Sequence, residues 1–287
     1  MKNLLLTALI ALLASFVGVK VFMPSGAATA AKETAYARVM RTGVLRCGYY
    51  FWEPFMYKDI KTGAILGVNN DFIQEIGKLL GLKIEWVAEA DMATIAQDLK
   101  TNKYDAFCTS IWPNAARFNN MLLTQPEVYS AAYAFVRADD TRFDGNLNKI
   151  NDKSVTIAIF DGDFTEDVAK QSFPQAKTFS MPVNGTGGDM LVALANGKAD
   201  IAIVDLGIYH QFSKNNPNKI RPIDGVRPVR IFGEHLAVPL GEFQLKNMLD
   251  MAIATLNQNT VFADILKTYE AQGYILSSFA PQPPQGN

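Results

Sequence analysis

The chain has 287 residues, 49% hydrophobic and 19% charged, enough to bury one large core or two modest ones and too apolar for wholesale disorder. Its 27 basic and 28 acidic residues leave a formal net charge of −1, so no global basic field gathers nucleic acid or anionic lipid, and no nucleic-acid partner is expected. Two cysteines, Cys47 and Cys108, are too few for a disulfide framework and lack metal-type spacing, and the two histidines, His210 and His235, lie far apart and read as structural, so no metal or cofactor is expected.

At the N-terminus, Lys2 precedes an uncharged apolar run over residues 4–19, followed by Lys20 and by Ala28-Thr29-Ala30, a small-residue cleavage site. Segment 1–30 reads as an export signal, which places the rest of the chain in the periplasm. An uncleaved anchor tethering it to the inner membrane is the alternative, because residues 4–23 are long enough to span a bilayer. No cysteine follows the run closely, so lipid attachment there is excluded.

Residues 31–40 read as a polar linker. Residues 43–50 then form a strand that ends in an aromatic loop, Phe51-Trp52-Glu53-Pro54-Phe55. Phe72, Ile76, Leu79 and Leu80 fall at helical spacing, with Asp71 as a cap and Gly81 as a stop. A strand at 83–87, a helix at 93–102 and a strand at 106–111 complete a strand and helix alternation typical of a parallel sheet covered by helices. Cys47 and Cys108 sit in apolar strand-like runs and read as buried small hydrophobes, with a disulfide between neighbouring strands as the alternative.

The same grammar restarts after the polar stretch 137–152: strand 154–160, helix 165–171, strand 177–181, helix 190–195 and strand 200–204, which ends at Asp205. Two halves of similar length and element order argue for two similar lobes, not one extended sheet. A short strand at 235–239 and amphipathic helices through Leu245 to Leu256 and Phe262 to Tyr269 follow. The proline-bearing end, 277–287, reads as a disordered tail.

In open α/β sheets, ligands bind beyond the carboxyl ends of the strands, where helix N-termini and loops converge. Tyr49 and Trp52 flank the sharpest turn of the aromatic loop and are expected in a cleft wall, while Phe55 packs the edge. Arg117 follows a strand exit, and its guanidinium can grip a carboxylate by two parallel hydrogen bonds. Asp205 can serve both as a helix cap and as acceptor for a ligand ammonium.

Taken in order, Gly43-Val44-Leu45-Arg46, the loop ending Pro54-Phe55, the stretch 67–71, Lys103-Tyr104-Asp105-Ala106 leading to Arg117, and Gly197-Lys198-Ala199-Asp200 leading to Asp205 resemble the periplasmic polar-amino-acid-binding proteins of ABC importers, the extracellular solute-binding family 3. The resemblance runs from residue 41 to Tyr269. It implies an α/β, type II periplasmic binding protein fold: two lobes, each a mostly parallel sheet flanked by helices, joined by two hinge crossings. Lobe one would comprise 41–133 plus 236–276 and lobe two 138–231, with crossings at 134–137 and 232–235.

The resemblance also implies that Arg117 binds the α-carboxylate and Asp205 the α-ammonium of an amino acid. The chain departs from the family pattern at Tyr49, where an acidic residue is usual, at Ser110 and Trp112, which replace a glycine and a threonine, and at Gly162-Asp163, which replaces a Gly-Thr pair, with Thr165 two positions on. Asp163 places negative charge where the ligand carboxylate would sit. Trp52, Met92 and Trp112 would form the walls. The expected function is therefore a monomeric substrate-binding protein that closes on a small-molecule ligand and delivers it to an ABC transporter permease. An amino acid is the first choice of ligand, with an aromatic or cationic molecule as its rival. The alternatives are a dehydratase-like enzyme, with Glu53, Asp163 or Glu166 as acid or base, and a ligand-sensing domain.

Overall fold

The apolar alternation after residue 43 builds the centre of a parallel sheet. In the computed structural model, which describes residues 33–274, 276 and 278–279, helix α1 (Ala35–Thr42) leads into β1 (Val44–Tyr49). A ribbon of β2 (Tyr57–Lys58) and β3 (Ile65–Leu66) precedes α2 (Val68–Leu80), β4 (Lys83–Glu89), α3 (Ile95–Lys100) and β5 (Ala106–Ile111). Strand β1 lies between β4 and β5, parallel to both. Successive strand side chains point to opposite faces. Leu45, Cys47, Ala106 and Cys108 therefore enter a core with Phe72, Ile73 and Ile76 of α2, while Phe107 and Ile111 enter one with Ile95 and Leu99 of α3.

The chain continues through α4 (Ala115–Asn120) and β6 (Met121–Leu123) into the ten-residue β7 (Val128–Arg137). A second set of elements follows: β8 (Thr156–Phe160), α5 (Phe164–Ser172), β9 (Lys177–Met181), α6 (Gly187–Ala195), β10 (Ala202–Val204), α7 (Leu206–Asn215) and β11 (Ile220–Pro222). Strands β8 and β9 pair in parallel, and Ile157 bridges Ile201 in parallel. Ile157 and Ile159 face a core with Phe164 and Val168 of α5, whereas Ala158 and Phe160 face one with Met190, Leu191 and Leu194 of α6. Strand β12 (Arg230–Pro239) and helices α8 (Phe243–Gln258) and α9 (Val261–Ala271) then bring Leu236, Val238, Leu249, Ile253 and Phe262 back into the core of β1 and β5. Strand β13 (Ser278–Phe279) pairs with β7.

Several expectations are corrected. The hydrogen-bonded path does not stop between the two halves: β10, β7, β12, β5, β1 and β4 are successive neighbours, because β7 and β12 are each long enough to reach both sets of cores. Part of the supposed linker is helix α1, whose Ala35 and Val39 are buried one turn apart and whose Ala35 and Tyr36 N–H groups donate to the Glu242 carboxylate, at 2.6 and 3.2 Å. Cys47 and Cys108 form a disulfide between β1 and β5 and are not free hydrophobes. Asp71 does not cap α2. It lies in the first turn and accepts the Tyr269 hydroxyl at 3.0 Å, and the N-cap is Gly67 at φ 124°. A side chain on Gly67 would fall 2.5 Å from the Phe55 carbonyl, a closeness that lets Asn69 N–H reach that carbonyl and pin the aromatic loop to α2. Within the supposed tail, Ser278 and Phe279 are strand. The apolar run at 4–19, the cleavage site at 28–30 and the chain after residue 279 lie outside the described residues.

Candidate functional site

The carboxyl ends of β1, β5, β8 and β10 meet at one cleft of about 580 Å³. One wall carries Tyr50, Phe51 and Trp52 from the loop after β1, Met92, and Ser110 and Trp112 from the end of β5. The facing wall carries Phe160, Asp163 and Phe164 from the β8–α5 turn, Thr186 to Gly188 at the start of α6, and Val204 and Asp205 leading into α7. Of the residues expected from sequence, Trp52, Met92, Ser110, Trp112, Arg117, Asp163 and Asp205 line this cleft.

Two do not. Strand alternation turns Tyr49 away onto Trp86, edge to face with centroids 5.9 Å apart, and gives the wall to Tyr50, which Phe51 joins from the loop beyond the strand. Thr165, on the first turn of α5, points inward and is fully buried, its hydroxyl accepting the Phe160 N–H at 2.9 Å.

Arg117 is held in place from both sides of the cleft. Asn114 caps α4 by accepting the Arg117 N–H at 2.8 Å, and its own side-chain amide donates across the cleft to the Gly162 carbonyl at 3.1 Å. The Arg117 guanidinium donates to the Trp112 carbonyl and, at 3.3 Å, to the Asp163 carboxylate, both side chains being 14% exposed. Burial lowers the Arg117 pKa, opposed by Asp163 and Glu234; burial raises that of Asp163, opposed chiefly by Arg117.

Asp205 caps α7 by accepting the Ile208 N–H at 3.0 Å through Oδ1. It is 3% exposed, and burial pushes its pKa up to about 6 against the lowering effect of the backbone N–H groups of Ile208 and Gly207. Trp112 reaches from the end of β5 into the core of the second half, stacked on Phe232 at 4.8 Å and edge-on to Phe164 at 4.2 Å. Its indole N–H donates to Glu234 at 2.6 Å, and the same oxygen accepts the Ser130 hydroxyl at 2.5 Å.

Glu234 is the cleft residue that sequence reasoning passed over. It is fully buried on β12, lines the cleft, and is raised to about 7, chiefly by burial and further by Asp205. Beside it lies Glu127, also fully buried, whose backbone N–H donates to the Glu234 carbonyl at 2.8 Å; its carboxylate accepts the Ser110 hydroxyl at 2.7 Å and is raised to about 8 by the same desolvation. The available signal was a lone carboxylate inside a strand that is apolar around it but for His235, Ile231-Phe232-Gly233-Glu234-His235-Leu236. Among the described residues no group of three or more His, Cys, Asp or Glu could hold a metal ion, and no helix is long and apolar enough to cross a membrane.

A cleft between two α/β halves joined by two long strands defines the type II class of periplasmic binding proteins. Among solved structures of that fold, the ancestral amino acid-binding protein that is a precursor of cyclohexadienyl dehydratase superposes with a TM-score of 0.67 at 20% identity, over 83% of this chain and 99% of its own. The cysteine-binding protein of Campylobacter jejuni gives 0.67 at 19% identity, over 87% and 100%. The chain belongs to the bacterial extracellular solute-binding proteins, family 3, which it matches over residues 45–272. Cyclohexadienyl dehydratase of Pseudomonas aeruginosa is 25% identical over 185 residues, 63% of this chain and 66% of that enzyme.

Proposed function

We propose that this protein is the solute-binding component of an ABC importer. Exported by segment 1–30, it works in the periplasm as a monomer, takes an amino-acid-like molecule into the cleft, closes on it and presents it to a permease. The observation that carries the reading is the cleft itself: polar groups from both halves, Arg117 on one side and Asp163 and Asp205 on the other, converge on a volume of about 580 Å³ among aromatic walls. A ligand that contacts both halves shifts the population toward the closed arrangement, and the Arg117–Asp163 and Asn114–Gly162 contacts are the signature of that arrangement.

Lobe one comprises the cores around β1 and β5, and lobe two those around β8 and β10. We place the hinge at residues 129–131 and 233–235. Supporting this reading, Val128 and Leu236 pack in the core assigned to the first lobe, and Ala132, Ala134, Val136 and Phe232 in one assigned to the second, which favours a first passage at 129–131 over 134–137.

The test is a thermal-shift screen of amino acids, polyamines and small aromatic acids, followed by calorimetry, since a ligand that binds only the native state raises its melting temperature. A saturable shift by one chemical class is expected. No shift from any small molecule would overturn the reading.

One observation favours an enzyme as second reading: Glu234, at about pKa 7, lines the cleft with a poise suited to general acid chemistry. Of the carboxylates expected in that role, Glu53 and Asp163 line the cleft, while Glu166 is turned to Lys170 and the Gly162 N–H. Turnover of a cyclic carboxylic acid in the absence of any transporter, abolished in Glu234→Gln, would decide for it.

A further inference from the structure

We propose that the ligand of this cleft is an organic amine without an α-carboxylate, its ammonium group held between Asp205 and Glu234; the proposal rests on the small-molecule binding reading above. Three observations lead to it.

The group that would bind a carboxylate is already engaged. Arg117 is the one cation among the described residues lining the cleft, and its guanidinium is committed to Asp163 and to the Trp112 carbonyl. Asp163 takes one guanidinium N–H from the opposite wall at 3.3 Å, so a ligand carboxylate at Arg117 would have to share or displace that contact and would lie beside the Asp163 carboxylate.

The groups that would bind a cation are open. Asp205 Oδ2 and Glu234 Oε2 are both buried, and neither has a hydrogen-bond partner among the described residues. Their other oxygens are used, Oδ1 by the Ile208 N–H and Oε1 by Trp112 and Ser130, so both side chains are fixed in orientation. Asp205 is close enough to Glu234 to be among the groups that raise it. A buried carboxylate oxygen left without a donor is costly, and an ammonium brings up to three N–H donors to satisfy both.

The walls complete the fit. Trp52, Phe51, Trp112 and Phe212 line the cleft and present aromatic surface that accommodates both a cation and an apolar body. After the Arg117–Asp163 pair cancels, Asp205, Glu234 and Glu53 leave the lining with acidic groups alone.

The experiment compares amines with the amino acids that differ from them by one carboxylate, on the wild-type protein by calorimetry: tyramine against tyrosine, phenethylamine against phenylalanine, cadaverine against lysine. In the pair that fits the pocket, the amine is expected to bind at least tenfold tighter than its amino acid. Asp205→Asn and Glu234→Gln, each checked for native circular dichroism, are expected to weaken that amine at least tenfold. Asp163→Asn, which frees Arg117, is expected to narrow or reverse the preference. An amino acid that binds as tightly as its amine, or tighter, overturns this proposal and leaves the binding reading standing. If neither member of any pair binds and the broad screen is also silent, both fall together.

Discussion

The Trp112 indole N–H donates to the Glu234 carboxylate at 2.6 Å, joining residues 122 apart in sequence. The ring is packed at the same time against Phe232 and Phe164, so one side chain from the end of β5 both anchors in the other half's core and orients a cleft carboxylate. Truncation to alanine removes a buried aromatic body, which costs about 3–5 kcal/mol. Trp112→Phe keeps part of the packing and removes the donor from a buried carboxylate, which costs about 1–3 kcal/mol. Urea unfolding should therefore rank wild type above Trp112→Phe above Trp112→Ala. Equal stability of wild type and Trp112→Phe would show the hydrogen bond to be immaterial.

Arg117 and Asp163 are expected to behave as a coupled pair. Arg117→Ala leaves Asp163 in a mostly dehydrated site without its cation, and should disfavour the arrangement in which the halves touch by about 2–4 kcal/mol. The readout is the radius of gyration by small-angle X-ray scattering, which should rise. Adding Asp163→Ala should recover part of the loss, because no orphaned charge then remains. Additive effects in the double variant would argue that the two side chains do not interact in solution.

Stability should depend on pH in an unusual direction for a protein rich in carboxylates. Burial raises Glu127 to about 8, Glu234 to about 7 and Asp205 to about 6, all above the ordinary carboxylate range. Above about pH 4.5 the unfolded chain has released these protons while the folded chain keeps them. Folding stability is then full below that pH and falls as pH rises toward 8, levelling once the folded groups ionise. Carboxylates with lowered pKa, such as Asp140 and Asp144, both hydrogen-bonded to arginine, act below this window. Melting temperature should fall between pH 5 and 8, and Glu127→Gln should flatten the slope. A melting temperature that rises across that range would contradict the burial of these groups as neutral acids.

The Cys47–Cys108 disulfide links residues 61 apart in sequence. Chain-entropy arguments assign such a cross-link about 4 kcal/mol, much of it through the unfolded chain. Reduction, or Cys47→Ala with Cys108→Ala, should lower the urea midpoint by a corresponding amount while leaving the native circular dichroism unchanged at low temperature. An unchanged midpoint after verified reduction would remove the disulfide from the list of stabilising features.

Much of the fold could be read from local pattern because it is dictated locally. The strand at 106–111 carries a buried run of small, apolar and β-branched residues, and Gly81 sits in the left-handed conformation that its lack of a side chain permits at φ 66°. Asp205 could be foreseen as a cap because a carboxylate ending an apolar strand before a helix has little else to satisfy. The supposed linker failed as a linker because Ala35 and Val39 carry little apolar signal between charged neighbours, and α1 is held by Glu242, 207 residues away from Ala35.

What the sequence by itself determined is the order of strands and helices, and with it the loops that end at one edge of the parallel strands, since hydrophobic period and turn chemistry are properties of a few neighbouring residues. Only the tertiary structure decided which face each residue of those loops presents, turning Tyr49 onto Trp86 and Tyr50 into the cleft. It alone brought Glu234 to Trp112 and Asp163 to Arg117, because a carboxylate's partner, burial and proton affinity are set by residues that are distant along the chain and adjacent only once it has folded.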